Sequence, residues 1–231
     1  MKTIGIIGGM SWESSLEYYR IINQTVKERL GGLHSAQCLM YSVDFAPIAK
    51  LMHDGEWDRV AQPVIAAAQH LERGGAEFII LATNTLHIVI DRIQREVTIP
   101  FIHIADATAE QVTARGKKTV GLLGTRFTME EEFYRGRLST HFGIAALIPH
   151  EKDRQLIHRV IFDELVLGTI NINSKKEFVR IIEDLVRSGA EGIILGCTEI
   201  GLLVQDSDSR VPLFDTARIH ARAAVELALA T

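Results

Sequence analysis

Apolar residues along this chain gather in short, nearly continuous runs separated by longer amphipathic stretches. Residues 3–8, 78–82, 119–123 and 193–195 are the clearest runs. Such runs are expected of parallel strands covered on both faces. Between them, Val60, Val64, Ala68 and Leu71 recur at helical spacing. Strands alternating with helices predict an α/β chain built on parallel sheet. In order, the pattern predicts a strand over 3–8 and a helix capped by Ser11 that runs to about Leu30 and stops at Gly31-Gly32. A second strand follows over 36–43. Residues 44–58, with Pro47 and Gly55, read as a polar, irregular excursion. A helix over 57–73, a strand over 78–82, a helix over 88–95 and a short strand over 101–104 complete the first half. The second half predicts a helix over 105–115 and a strand over 119–123. A helix then starts at the capping box Thr128-Met129-Glu130-Glu131, followed by a strand over 145–148 and a helix over 153–167 closed by Gly168. A second capping box, Ser174-Lys175-Lys176-Glu177, opens the helix that Gly189 ends. The strand 193–195 and a final apolar helix over 215–230 close the chain.

The two halves repeat each other. Aligned without a gap, Gly75-Ala76-Glu77-Phe78-Ile79-Ile80-Leu81-Ala82-Thr83-Asn84-Thr85 lies on the stretch from Gly189 to Glu199. Gly75 falls on Gly189, Glu77 on Glu191 and Thr83 on Cys197. Lys2-Thr3-Ile4-Gly5-Ile6-Ile7-Gly8 matches Lys118-Thr119-Val120-Gly121-Leu122-Leu123-Gly124, and Ile99-Pro100-Phe101-Ile102 matches Val211-Pro212-Leu213-Phe214. Three matches in one order indicate an internal duplication. They predict two pseudo-symmetric α/β domains, 1–104 with 215–231 and 105–214, the last helix returning to the first half. Thr83 and Cys197 become symmetry mates, expected in the cleft between the domains.

Composition narrows the function classes. A hydrophobic content of 47% and a charged content of 23% over 231 residues are ordinary for a globular protein. A net charge of -4 gives no reason to expect a nucleic-acid partner. No apolar run approaches the roughly 20 residues of a membrane span, so no membrane partner is expected. Two cysteines far apart suggest no disulfide framework, and the chain reads as cytoplasmic.

Cys197 sits just past a strand's carboxyl end, where open α/β sheets bind ligands. Two groups on opposite sides of a bound carbon acid can invert it, one removing a proton while the other delivers one. A thiol suits the task because its pKa, about 8.5, responds to its surroundings. Thr83 is a much poorer base, because a hydroxyl resembles water and gives up its proton far less readily than a thiol. The turns at Met10-Ser11, Asn84-Thr85, Thr125 and Thr198-Glu199 supply backbone and side-chain donors suited to carboxylates. Taken singly, each is equally a helix cap. Glu199 is placed to orient Cys197 or to cap a helix. Arg126 is a candidate for a substrate carboxylate or for a surface pair. His87 is expected to pair with Asp91 one helical turn on. Cys38 reads as core.

Gly8-Gly9-Met10-Ser11, Thr83-Asn84-Thr85-Leu86-His87, Gly124-Thr125 and Cys197-Thr198-Glu199 together resemble the motifs of the aspartate/glutamate racemase family, over essentially the whole chain. The chain lacks the Asp-Ser-Gly and Cys-Thr-His of glutamate racemases and is similar to the aspartate racemase branch. Its Thr83/Cys197 pair is similar to that of the L-aspartate/glutamate-specific members. The resemblance implies a four-stranded parallel sheet in each domain and an active site in the interdomain cleft. It implies two-base racemisation without a cofactor, a small-molecule amino-acid substrate and a homodimer. The family's first cysteine falls on Thr83, so the two directions of racemisation are expected to be unequal. A lysine common in the family falls on Val166, which removes one carboxylate contact. The polar contact expected after the second strand falls on Leu51-Met52-His53-Asp54, with the Met52 backbone and His53 as candidates.

Cofactor readings fail on the residues. Gly5-x-x-Gly8-Gly9 is not G-x-G-x-x-G, no lysine lies in the strand-end motifs for a pyridoxal Schiff base, and the nine histidines show no H-E-x-x-H. Three alternatives stay open: an amino-acid-binding protein, a single-cysteine lyase or decarboxylase, and a racemase of neutral amino acids such as homoserine.

Overall fold

A computed structural model describes residues 1–230. The chain divides into two compact units, Met1–Ile104 with the chain from His220 onward, and Ala105–Ile219. The first unit contains β1 (Ile4–Gly8), α1 (Trp12–Leu30), β2 (Cys38–Ser42), α2 (Phe45–His53), α3 (Trp57–Arg73) and β3 (Phe78–Leu81). A 3-10 turn, Thr85–Val89, then runs into α4 (Ile90–Gln94), followed by β4 (Phe101–Ile102). Next in the chain come α5 (Ile104–Ala114), β5 (Thr119–Gly124), α6 (Arg126–Glu130), α7 (Glu132–Phe142), β6 (Ala145–Leu147) and α8 (Glu151–Asp163). The 3-10 turn Leu165–Leu167, α9 (Ile172–Arg187), β7 (Ile193–Gly196), α10 (Ile200–Leu203), β8 (Leu213–Asp215) and α11 (Thr216–Leu229) follow.

Each unit holds a four-stranded parallel sheet, ordered β2-β1-β3-β4 and β6-β5-β7-β8. The apolar runs are the inner strands. Every residue of β1, β3 and β7 is buried, because helices cover both faces. β2 is an edge strand, and Met40 and Tyr41 on it are exposed. The repeated glutamates do the same work in both halves. Glu77 Oε2 accepts from Thr3 N at 2.7 Å. Glu191 Oε2 accepts from Lys118 N at 2.9 Å and Thr119 N at 3.0 Å. Each carboxylate pins the entry of the third strand of its sheet to that of the first. Gly75 and Gly189 both adopt positive φ, at 94° and 103°, where a side chain would be strained.

The final helix belongs to the first unit from His220 onward. Ala221, Ala224, Val225 and Ala228 are buried, and Lys2 N donates to Ala228 O at 2.8 Å.

Three expectations are corrected. Residues 44–58 are not an irregular excursion, because α2 occupies Phe45–His53. Asp44 caps it by accepting from Ala46 N, and Pro47 falls in the first turn, where a missing N–H costs nothing. The helix after β5 is capped by Thr125 rather than opened by a box at Thr128. α9 is capped by Asn171, whose Oδ1 accepts from Asn173 N at 2.9 Å. Ser174 instead donates to Glu164 at 2.7 Å. In both places the sequence offered two capping residues three apart, and the one nearer the preceding strand or turn takes the cap.

Candidate active site

In each sheet the chain passes from the first strand to an edge and then crosses back to the other side. The carboxyl ends of β1 and β3, and of β5 and β7, are therefore topological switch points. At the first, the turn through Met10 and Ser11 meets the turn through Thr83, Asn84 and Thr85. Ser11 caps α1 by accepting from Ser14 N at 3.2 Å. Ser15 Oγ accepts from Gly9 N at 2.7 Å and donates to Ser11 O at 2.9 Å. Ser14 Oγ donates to Ala82 O at 3.4 Å, which links the two turns. Met10, Ser11, Thr83, Asn84 and Thr85 are all buried.

At the second switch point, Thr125 meets Cys197, Thr198 and Glu199. A Cβ on Gly124 would lie 2.8 Å from the Gly196 carbonyl oxygen, and one on Gly196 2.8 Å from that of Leu123. Two glycines thus let the strand ends approach closely. Thr125 Oγ1 accepts from Thr128 N at 3.3 Å, a capping bond.

Cys197 lies against a carboxylate. Its Sγ donates to Glu199 Oε2 at 2.9 Å, and Thr198 Oγ1 donates to the same oxygen at 2.8 Å. Glu199 is 2% exposed and Cys197 8%. Burial pushes the thiol pKa well above its ordinary value, and the charge of Glu199 and the hydrogen bond to it push the same way. Backbone N–H groups of Glu199 and Thr198 pull against this by stabilising a thiolate. At rest Cys197 is therefore a thiol, hydrogen-bonded to Glu199. The Thr198 hydroxyl proton is committed to Glu199, and its backbone N–H is turned toward the Cys197 sulfur.

Thr83 has a different neighbourhood. Its repeat mate has Glu199 two residues on, whereas Thr83 has Thr85. His87 does not pair with Asp91. Its Nδ1 donates to Thr83 O at 2.8 Å and its Nε2 accepts from Ile104 N at 3.3 Å. Burial and the backbone of the turn draw the ring inward. It packs on His103 with centroids 4.6 Å apart and faces His220 at 5.9 Å. His220 in turn bonds Tyr18 Oη through Nδ1 and Ile102 O through Nε2, each at 2.9 Å.

This buried cluster is expected to make the first unit acid-sensitive. Burial pushes His220 down to about 4. His87 is also lowered, by burial first and then by the charges His103 and His220 would carry. An unfolded histidine takes up its proton near pH 6.5, so the stability these groups contribute is present above that pH and is lost as pH falls toward 4. His220 alone is expected to remove about 3 kcal/mol by pH 4. Both tryptophans, Trp12 and Trp57, lie in this unit, so their fluorescence reports its urea midpoint. The midpoint should fall between pH 7 and 4.5, and His220→Gln should flatten that fall while lowering stability at pH 7. An equal slope in both proteins would refute the assignment.

The weaker candidates separate. Met52 is buried on the inner face of α2, and His53 stands exposed in its last turn with Nδ1 on Ala49 O at 2.7 Å. Both lie on a helix, not on a loop. Val166 packs against the apolar core of the second unit. Arg126 lies over the Phe127 ring, 5.3 Å from its centroid. Cys38 is half-buried on the edge strand. Sequence reading missed Tyr18, His103 and His220. The available signal was His220 itself, one polar residue on the apolar face formed with Ala217, Ala221 and Ala224. Among the described residues, no group of His, Cys, Asp or Glu is arranged to hold a metal ion, and no helix is long and apolar enough to cross a membrane.

A duplicated chain with two four-stranded parallel sheets, its polar turns gathered at the switch points, has the fold of the Asp/Glu racemase structures. The aspartate racemase of Picrophilus torridus, 21% identical, superposes with a TM-score of 0.77 over 99% of this chain and 94% of that one. The model of the Asp/Glu/Hydantoin racemase family matches residues 7–224, and the chain belongs to that family as an amino-acid racemase. A candidate Asp/Glu racemase from Yersinia pestis is 51% identical, with both chains covered in full and a TM-score of 0.92. An aspartate racemase homologue from Pyrococcus horikoshii is 39% identical over 99% of each chain, with a TM-score of 0.85. The broad specificity amino-acid racemase RacX of Bacillus subtilis is 25% identical over 75% of this chain and 74% of its own.

Proposed function

We propose that the chain racemises aspartate or glutamate without a cofactor, with Cys197 and Thr83 acting on opposite faces of the α-carbon in an interdomain cleft. The observation that carries this reading is the buried pair of Cys197 and Glu199 at a strand-end switch point. Glu199 takes the thiol proton, giving a thiolate and a carboxylic acid. The thiolate then removes the α-proton and Thr83 returns a proton to the opposite face, after which the Thr83 alkoxide regains a proton and Glu199 loses one by exchange with solvent. A thiol whose pKa is raised is a stronger base once ionised, which suits a carbon acid as weak as an amino acid. The proton acceptor at 2.9 Å lets that base form without losing its proton to bulk water. The donors of Met10, Ser11, Asn84, Thr85, Thr125 and Thr198 bind the substrate carboxylates. Met52, His53 and Val166 are the weaker contacts, since they lie on a helix or in a core. The chain works on a small molecule as a cytoplasmic homodimer, the assembly its family resemblance implies.

The two faces are unequal. A hydroxyl is a far weaker acid than a thiol, so generating the base costs more at Thr83 than at Cys197. Abstraction by Cys197 is then fast and abstraction by Thr83 slow. The test is α-proton exchange in D₂O, followed by NMR on L- and D-aspartate, L- and D-glutamate and homoserine separately. One enantiomer should exchange faster than its mirror image by about tenfold or more. Thr83→Cys should narrow the difference by speeding the slower one. Equal exchange of both enantiomers by the wild-type chain would overturn the unequal pair. Exchange of homoserine alone would move the substrate class to neutral amino acids.

A further inference from the structure

We infer that His87 is a positioning residue for Thr83, a neutral imidazole held through both nitrogens that fixes the turn carrying the Thr83 hydroxyl. The inference rests on the racemase reading of Thr83. Ile104 N can only donate, so Nε2 of His87 must present its lone pair, and Nδ1 must carry the hydrogen that goes to Thr83 O. The backbone alone sets the tautomer. An imidazolium would set one N–H against another at Ile104.

Two other histidines make the same bond to a carbonyl four residues back, His53 to Ala49 and His70 to Ala66, at 2.7 and 2.6 Å. Both of those are exposed on helices. His87 is 1% exposed and spans from the end of β3 to the first residue of α5, so its ring is locked on both sides. Burial keeps it neutral, with its pKa well below the ordinary value.

The duplication shows that this brace belongs to one half. In the gapless alignment that places Thr83 on Cys197, His87 falls on Gly201. A Cβ on Gly201 would lie 2.8 Å from Asp215 Oδ2, so a side chain there would have to displace that carboxylate. There Glu199 touches the Cys197 thiol directly, and Thr216 Oγ1 ties α11 to Leu195 O at 2.8 Å. In the first half Thr85 stands where the second has Glu199, and the backbone beneath Thr83 is held by an imidazole. Loosening His87 therefore disturbs the Thr83 face and spares the Cys197 face.

The two faces can be read apart in D₂O. Exchange with retention needs only Cys197, which removes the α-proton and returns a deuteron to the same face. Conversion to the mirror image also needs Thr83. His87→Gln keeps an acceptor near the Nε2 position and loses the donor to Thr83 O. His87→Asn keeps a donor near the Nδ1 position and loses the acceptor for Ile104. In His87→Gln the ratio of conversion to retained exchange should fall about 10- to 100-fold, the scale of a reacting group displaced by about 1 Å. In His87→Asn the ratio should stay near the wild-type value even if both rates decline. A merely structural role would lower both rates together and leave the ratio unchanged in both variants, which would overturn the inference. If His87→Gln does not fold, His87→Ala, which loses the same donor, takes its place and should lower the ratio likewise, an unchanged ratio overturning the inference; a collapsed ratio in folded His87→Asn also overturns it. A wild-type chain that exchanges no α-proton would overturn the racemase reading itself, a result distinct from unchanged ratios.

Discussion

Cys197→Ala is expected to abolish α-proton exchange of the preferred enantiomer, lowering its rate by about 10³-fold or more, roughly 4 kcal/mol of transition-state stabilisation. The change removes the thiol that donates to Glu199 at 2.9 Å and leaves that carboxylate its bond from Thr198. The fold should survive, since Ala fills most of the volume and the neighbouring strand ends are held by the Gly124–Gly196 register. Cys197→Ser adds a control of shape, because it keeps a hydroxyl donor to Glu199 but raises the pKa of the base toward that of water. It should be nearly as inactive as Cys197→Ala. Activity within tenfold of wild type in either variant would remove Cys197 from the reaction.

Glu199→Gln should lower exchange by about 10²- to 10⁴-fold, the range of a lost general base. The same change should make the thiol easier to ionise. The negative charge of Glu199 helps hold the Cys197 pKa above its ordinary value, and a neutral amide withdraws that charge. In a Cys38→Ser background Cys197 is the single thiol, and its thiolate absorbance can be followed through an alkaline titration. The midpoint should fall in Glu199→Gln while exchange also falls. More thiolate with less activity would mean that Glu199 acts as the acceptor of the thiol proton. A midpoint that rises, or exchange that is unaffected, would reduce Glu199 to a cap of the short helix Ile200–Leu203.

Much of this molecule was visible in one dimension, for a physical reason. An inner parallel strand is covered on both faces and must be apolar throughout, so 78–81 and 193–196 stand out whatever they pack against. Duplication added a second reading of each signal. The Glu77–Glu191 match proved in the structure to be one backbone-pinning contact made in both halves. Positions were lost where several local solutions compete. Asp44 and Pro47 read as breakers, yet together they start α2, since a cap and a first-turn proline are helix-compatible. Thr125 displaced Thr128 and Asn171 displaced Ser174 as caps, because the entry of the chain from the preceding element selects the residue whose backbone is still extended.

The sequence by itself determined the class of the chain, its duplication, the placement of Thr83 and Cys197 at equivalent strand ends and the absence of a thiol at the first of them. These follow from residue identity and spacing, which need no partner to be read. Tertiary structure alone decided what each strand-end residue touches. Cys197 and Glu199 are two apart on a turn, and only the turn's shape brings sulfur and carboxylate to 2.9 Å. His87 faces Ile104 rather than Asp91, and it meets His103 and His220 from elements distant in sequence. Burial is what turns those contacts into shifted proton affinities, and burial is a property of the folded chain.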